Sequence, residues 1–320
     1  MSDTNPAQLV PYVTGGAFVL AFIFGAVGNK THFCTMGAVS DWVNMGDTNR
    51  LRMWLLARAV ALLGASALHV AGVVDLSKSI YPSPNFTWLS YLVGGFLFGA
   101  FRVGVLEKAS MTLPSGQDLP ALFGISRVLL AALIGGAMLV FIYSSRQFRA
   151  SFDYTLGGVV TGLVVVGGWY VSGHIGHVAE DPNTLQEAFV ATNTGRMESF
   201  SFVAPFAFTL EYLMLWTDKS KIITYGIASA AGVVAGSAAY ALATRTFRWE
   251  GFRDAEDTAN HIVGGMLMGF GGITALGCTI GQAISGFSTL ALGSIITFIA
   301  IVAGSAATMK YQVWRIERQG

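Results

Sequence analysis

Long apolar stretches separated by short polar connections run along almost the whole chain. A helix that crosses a lipid bilayer needs about 20 largely apolar residues. Nine stretches reach or approach this length, at residues 10–27, 54–74, 88–101, 123–143, 156–172, 200–216, 222–243, 262–276 and 290–308. Two further apolar pieces, 34–43 and 278–287, are too short to cross alone. The pattern predicts an all-α polytopic membrane protein in which some helices are broken or re-entrant.

Composition supports a membrane environment. Hydrophobic residues make up 53% of the 320 residues and charged residues only 12%, with a mean hydropathy of +0.58. Soluble proteins carry about 25% charged residues, so most of this surface is expected to contact lipid. The net charge of +1 gives no reason to expect nucleic acid as a partner. The polar residues 1–9 lack the basic start of a cleaved signal peptide, which predicts that the first apolar stretch is retained.

An internal repeat contains both cysteines of the chain. The sequence GAVGNKTHFCTMG from Gly25 aligns with GFGGITALGCTIG from Gly269 at a constant offset of 244 residues. The identical pairs are Gly25 and Gly269, Gly28 and Gly272, Cys34 and Cys278, Thr35 and Thr279, and Gly37 and Gly281. The repeat predicts a single membrane domain, residues 1–320, built from an N-terminal half at 10–143 and a C-terminal half at 156–310.

A third copy of the motif begins and then stops. GGFLFG at residues 94–99 matches GGMLMG at 264–269, but in that register Lys108 stands where a cysteine would be. The N-terminal half is therefore predicted to be shortened near residues 99–101.

The repeated motif suggests a binding site for a sulfur-containing anion. Glycines before each cysteine would let an apolar helix stop and let a ligand approach the backbone. A short helix would follow, with Thr35 or Thr279 available as its cap. A helix N-terminus in the membrane favours an anion, and a thiol adds a soft, weak donor. The candidate binding residues are Cys34, Cys278, Thr35, Thr279, Gly37 and Gly281.

Other interpretations of these residues remain open at this point. The cysteines could be small hydrophobic residues at close helix contacts, or could form a disulfide if pseudo-symmetry brings them together. No CxxC, Cys/His metal spacing or Walker motif occurs, so no metal, cofactor or direct use of ATP is expected. His174 and His177 are expected in an interfacial loop. Glu211, inside an apolar stretch, is either a functional carboxylate or an interfacial one.

Three stretches resemble the YeeE/YedE family of bacterial inner-membrane sulfur transporters, which includes thiosulfate uptake proteins. They are GNKTHFCTMGAVSDWV from Gly28, GGWYVSGHIG at 167–176, and GGMLMGFGGITALGCTIGQAISGFSTLALGS at 264–294. The resemblance implies inverted repeats whose short helices meet at a central waist, where cysteines pass thiosulfate along through S–H contacts. By motif match, Cys34 would be the first such cysteine and Cys278 the last. Lys30 and Gln282 join the candidate site by position only.

The same resemblance implies a multi-pass protein of the bacterial inner membrane that is not an enzyme. Its expected partners are thiosulfate or a related sulfur anion, the lipid bilayer and a small cytoplasmic sulfur-carrier protein. Family members normally carry a middle cysteine after a GGxLFG start, and this chain lacks it. Two alternative functions are therefore a membrane thiol oxidoreductase or sulfur-transfer protein, and a shortened form that does not transport.

Overall fold

A computed structural model shows that the chain is almost entirely helical. It describes residues 6–83, 85–86, 88–97, 111–112, 117–182, 184–218 and 221–319. The helices are α1 (Pro6–Thr31), α2 (Thr35–Ser40), α3 (Asn49–Val70), α4 (Trp88–Leu97), α5 (Leu119–Phe123), α6 (Arg127–Tyr143), α7 (Arg146–Ala150), α8 (Phe152–Tyr170), α9 (Val203–Met214), α10 (Tyr225–Ala243), α11 (Ala255–Thr274) and α12 (Leu292–Gln319). Two antiparallel strand pairs join loops: β1 (Asn85–Phe86) with β2 (Met111–Thr112), and β3 (His177–Val178) with β4 (Ala188–Phe189).

Each of the nine apolar stretches overlaps a helix. Among the described residues, five helical segments are long and apolar enough to cross a membrane: Pro6–Met45, Asn49–Val70, Phe152–Ile175, Tyr225–Ala243 and Leu292–Arg315. Two shorter apolar helices are α6 and α9. The prediction of an all-α polytopic membrane protein is confirmed. The predicted shortening at 99–101 lies outside the described residues, and the inverted relation of the two halves remains a prediction.

Several predicted boundaries were wrong because hydropathy does not record helix ends; α12, for example, continues to Gln319, beyond the predicted end at residue 308. The stretch 123–143 is divided, since α5 ends at Phe123 and Gly124 is left-handed at a φ of 64°. The stretch 262–276 belongs to a helix of 20 residues that starts earlier, at Ala255. Asp254 caps it by accepting the Asp257 N–H at 2.7 Å. Its first two turns are polar and exposed, so they do not register as membrane sequence.

Small residues allow the long helices to pack closely. Helix α1 lies along α10, and a Cβ added to Gly25 would stand 2.2 Å from the Val233 carbonyl oxygen. Gly236 packs in the same way against the backbone of α1. Helix α3 lies along α8, where Gly158 contacts Leu56. Close backbone approach at small residues is typical of helices that associate in lipid.

Candidate functional site

Each cysteine stands immediately before a short helix. We name these short helix A (residues 35–45, comprising α2 and the π-helical turn Asp41–Met45) and short helix B (residues 279–288, with a π-helical centre at Gly281–Gly286). Cys34 is the N-cap residue of A, in an extended conformation at φ −138° and ψ 129°. We call the first copy of the motif, residues 25–37, copy A and the second, residues 269–281, copy B. The expectation that a threonine caps the short helix was wrong in copy A, because the cysteine occupies the cap position and no side chain caps the helix.

The cysteine carbonyl starts the backbone hydrogen bonds of both short helices. Cys34 C=O accepts the Ala38 N–H at 3.0 Å, and Cys278 C=O accepts the Gln282 N–H at 2.8 Å. The two bonds are separated by the repeat offset of 244 residues. The repeat seen in the sequence is therefore also a repeat of backbone geometry.

The helix before each cysteine ends in the same manner. The residue two positions before the cysteine is left-handed, with φ 51° at His32 and 58° at Leu276. The N–H of the next residue bonds back to a glycine carbonyl, at 3.0 Å to Gly28 and 2.7 Å to Gly272. This is the bonding pattern of a Schellman helix end. Glycine was expected to break the helix, but histidine and leucine adopt the left-handed conformation, which costs roughly 1–2 kcal/mol per residue.

The surroundings of copy A are open and charged. Cys34 is an exposed free thiol. A Cβ on Gly37 would meet Arg50 Nη1 at 2.4 Å, and Arg50 forms an ion pair with Asp41 at 3.2 Å. A guanidinium therefore lies beside the first turn of short helix A.

The surroundings of copy B are closed. Cys278 is a half-buried free thiol, and its Sγ accepts the N–H groups of Phe202 and Gly281, both at 3.4 Å. Two donors aimed at the sulfur leave its own S–H free to point elsewhere. Gly281 is buried against Ser201, whose Oγ would be 2.6 Å from an added Cβ. Thr279, which lies between Cys278 and Gly281 in the chain, is half-buried, whereas its counterpart Thr35 in the first copy is buried.

A cavity of about 180 Å³ borders copy B. Gly272, Ile273 and Leu276 of the motif line it, together with Tyr81, Glu198 and Tyr225. Glu198 is only 9% exposed and accepts the N–H and Oγ1–H of Thr194, at 2.9 and 2.6 Å. Burial raises the pKa of the Glu198 carboxyl, and the Thr194 bonds offset part of that rise.

Sequence analysis missed Glu198 because it lies in the polar loop between α8 and α9. Met197 and Phe200, which flank it, are buried in the core. The signal that could have identified this segment is the apolar run from Phe200, which begins only two residues later.

The two residues chosen by position differ from one another. Lys30 is exposed and lies 3.7 Å from Asp153, a pairing that is worth about 0–1 kcal/mol at a surface. Gln282 is fully buried and its amide is engaged: it donates to the Ala275 carbonyl and accepts the Ser294 hydroxyl at 2.6 Å. Lys30 can attract an anion, whereas Gln282 ties short helix B to its neighbours.

Aromatic rings connect the two copies. Phe33, next to Cys34, meets Phe24 edge-to-face at 6.3 Å, and Phe24 stacks on Phe202 at 5.6 Å. Phe202 is the residue whose N–H bonds to Cys278 Sγ. Cys34 and Cys278, 244 residues apart, are therefore connected in one core through three rings, those of Phe33, Phe24 and Phe202.

The histidines and Glu211 lie at or near the surface, but the expectation that both histidines stand in a loop was wrong for His174, which is exposed in the π-helical turn Val171–Ile175. His174 Nδ1 lies 3.2 Å from the Val73 carbonyl oxygen, and Glu211 pairs with Lys221 at 2.6 Å in an exposed position. This geometry favours the interfacial interpretation of Glu211. Within the described ranges, no group of three His, Cys, Asp or Glu side chains could hold a metal ion.

Comparison with known proteins identifies relatives over most of the chain. The family described as sulphur transport matches residues 30–101 and 106–307, which include both cysteines. The thiosulfate transporter TsuA of Escherichia coli (strain K12) is 25% identical over 303 residues, covering 82% of this chain and 84% of that protein. The family match is interrupted between residues 101 and 106, close to the predicted shortening.

Proposed function

This chain belongs to the sulphur transport family, and on that premise we propose that it carries a small sulfur-containing anion, foremost thiosulfate, across the bacterial inner membrane. The observation that carries the proposal is the matched geometry of the cysteines. Each thiol stands at the N-terminus of a short helix, directly after a helix that has stopped. A soft donor and unpaired backbone N–H groups are thus combined twice.

Passage would consist of successive hydrogen bonds without covalent chemistry. The S–H group of Cys34 or Cys278 donates weakly to the terminal sulfur or an oxygen of the anion, and the first N–H groups of the short helix bind another oxygen. Weak contacts at several sites allow an ion both to enter and to leave. Thr35, Gly37 and Thr279 would supply those N–H groups, whereas the Gly281 N–H already donates to Cys278 Sγ and would hold the thiol in place.

The binding sites at Cys34 and Cys278 would have different roles in transport. Cys34 is exposed, with Lys30 and Arg50 nearby in the chain to attract an anion. Cys278 is half-buried and already accepts two N–H groups, so its S–H is the group that remains for the substrate. Gln282 would hold short helix B in place rather than contact the anion.

The E. coli relative supports thiosulfate as the substrate, because it is a thiosulfate transporter over a shared length that exceeds four fifths of both chains. Delivery of the anion to a small cytoplasmic sulfur-carrier protein is part of the same proposal. It implies that the carrier docks where the pathway opens to the cytoplasm.

The test is thiosulfate-dependent growth of a bacterium that cannot use sulfate and lacks its own thiosulfate uptake. Expression of this chain should restore growth, and Cys34→Ala or Cys278→Ala should abolish it at limiting thiosulfate. Met36→Ala, which removes an exposed side chain two residues from Cys34, is the matched control and should grow normally. Undiminished growth of both cysteine variants would contradict the proposed roles, and no growth with the unaltered chain would contradict thiosulfate uptake itself.

A further inference from the structure

Arg58 is a buried cation in the middle of a membrane-spanning helix. It lies on α3 (Asn49–Val70), well inside both ends, and is only 5% exposed. A charged side chain at this depth is costly and therefore usually paired or functional. In the sequence, Arg58 is a single cation within the apolar stretch 54–74.

The partners of Arg58 are aromatic rings. Its Cζ lies 3.8 Å from the ring centroid of Phe287 and 4.1 Å from that of Phe298. Rings attract the cation through their faces, but they do not accept the in-plane N–H groups of the guanidinium. In the part of the chain that the structure describes, no carboxylate pairs with Arg58, and its buried Nε–H has no acceptor.

Two further buried polar groups, on the helices that carry Arg58 and Phe298, lack partners. Trp54, one helical turn before it on the same face of α3, is 2% exposed and its Nε1–H has no acceptor. Thr297, adjacent in sequence to Phe298, is fully buried and its hydroxyl has no partner. Such groups are rare in folded proteins, and a bound ion is one of the arrangements that satisfies them. All three groups can donate a hydrogen bond, so an anion, which only accepts, is a suitable partner for them.

Trp54 and Arg58 lie between the two copies of the cysteine motif. Trp54 stacks on Phe33, the neighbour of Cys34, at 4.6 Å. Phe287 belongs to short helix B, which Cys278 starts. Helix α3 therefore contacts copy A through Trp54 and copy B through Arg58. At the repeat offset, Arg58 corresponds to Val302, so the cation occurs in only one half.

We propose that Arg58 binds the oxygen atoms of a small oxyanion at a binding site between Cys34 and Cys278. The planar guanidinium presents parallel N–H groups that match two oxygens of such an anion, and the Phe287 and Phe298 rings hold its plane fixed. The Trp54 Nε1–H, one helical turn away on the same face of α3, is a further donor for the same ligand. The inference rests on the proposed function for the identity of the anion, but not for the existence of the site.

The test measures anion binding to the full chain in lipid nanodiscs, by the rise in thermal midpoint on titration with thiosulfate and separately with sulfate. Arg58→Met should weaken the apparent affinity for both anions at least tenfold. Arg58→Lys keeps the charge but loses the two parallel N–H groups of the guanidinium, so it should weaken the apparent affinity by a smaller factor. The matched control is Arg52→Met, on the same helix, where the guanidinium is also placed over a ring (Phe141, 4.3 Å) but bonds to Ser144 at 3.1 Å.

The outcomes separate this site from the binding sites at the cysteines. Cys278→Ala should weaken the binding of thiosulfate by a larger factor than the binding of sulfate, because only thiosulfate offers the thiol a terminal sulfur, whereas Arg58→Met should weaken both equally. Wild-type affinity in a folded Arg58→Met protein would overturn the proposal, as would the absence of any anion effect on the unaltered chain. If Arg58→Met does not fold, wild-type affinity in Arg58→Lys would overturn it. Arg58-dependent binding without thiosulfate uptake into proteoliposomes would retain the site and contradict the proposed function.

Discussion

The two copies of the cysteine motif share a backbone but not an environment. In both, a helix ends at a left-handed residue, the next N–H returns to a glycine carbonyl, and the cysteine starts a short helix. Around copy A lie an exposed thiol and the Arg50–Asp41 ion pair. Around copy B lie a half-buried thiol, two N–H donors to sulfur and a cavity with a buried carboxylate.

The glycines that recur in both copies of the motif have different packing surroundings. Gly25 permits the approach of α1 to α10, whereas its counterpart Gly269 has open space around it. The relation is reversed one turn later: a Cβ added to Gly28 would meet nothing within 4 Å, whereas one added to Gly272 would stand 2.5 Å from the Val203 side chain. A shared sequence pattern thus fixes local geometry, while packing partners decide which positions tolerate change.

The largest expected effect on stability separates Gly25 from Gly269. Gly25→Ala places a Cβ 2.2 Å from the backbone oxygen of Val233, so α1 and α10 must move apart. Overpacking of this kind costs about 3 kcal/mol or more where backbone is the obstacle. Gly269→Ala should be neutral or stabilising by up to about 1 kcal/mol, since alanine favours helix. Equal thermal unfolding midpoints of the two variants in detergent would contradict the comparison.

The next effect concerns Gln282 in copy B and Lys30 in copy A. Gln282→Leu leaves the Ala275 carbonyl and the Ser294 hydroxyl without a buried partner, at a cost of about 2 kcal/mol. Lys30→Met removes an exposed ion pair and should change stability by less than about 0.5 kcal/mol. Chemical denaturation of the purified variants measures both. A stable Gln282→Leu protein with reduced thiosulfate uptake would instead favour direct contact with the substrate.

A smaller effect distinguishes the cysteines themselves. Cys278→Ala removes the acceptor of two backbone N–H groups and should lower stability by about 1 kcal/mol. Cys34→Ala, at an exposed thiol, should change it by less than about 0.5 kcal/mol. Both should lose uptake, so stability and transport separate only in copy A. A larger destabilisation by Cys34→Ala would show that copy A is the more tightly packed one.

The smallest expected effect is a pH dependence that belongs to copy B alone. Burial raises the pKa of Glu198 above that of an unfolded glutamate, about 4.3. The carboxyl then contributes stability that is fully present below pH 4.3 and is lost as pH rises through its folded pKa. Because the Thr194 bonds offset part of the rise, the change should be modest. Glu198→Gln should flatten the curve of thermal midpoint against pH, and an unchanged slope would contradict the assignment.

Sequence was sufficient for the helices and for the repeat. Apolar runs predicted every membrane helix, because lipid requires each spanning segment to satisfy its own backbone. The offset of 244 residues also predicted which backbone bonds recur, since a Schellman end and a cap depend on residues close in the chain. It did not predict that His32 and Leu276 would be left-handed, because glycine is the usual residue there.

The remaining features depend on residues that are distant in sequence. Glu198 stands in a polar loop, and only the fold places it at a cavity that α10 and α11 also line. Arg58 stands inside the apolar stretch 54–74, and only the fold shows that Phe287 and Phe298 cover its guanidinium. The exposure of a thiol likewise depends on distant residues, since Cys278 is covered in part by Phe202, 76 residues away in the chain. Sequence determined the membrane helices, the family and the two thiols, because these follow from composition and local pattern. Tertiary packing alone decided which charges are buried and which donors lack acceptors, because burial depends on neighbours that local sequence does not specify.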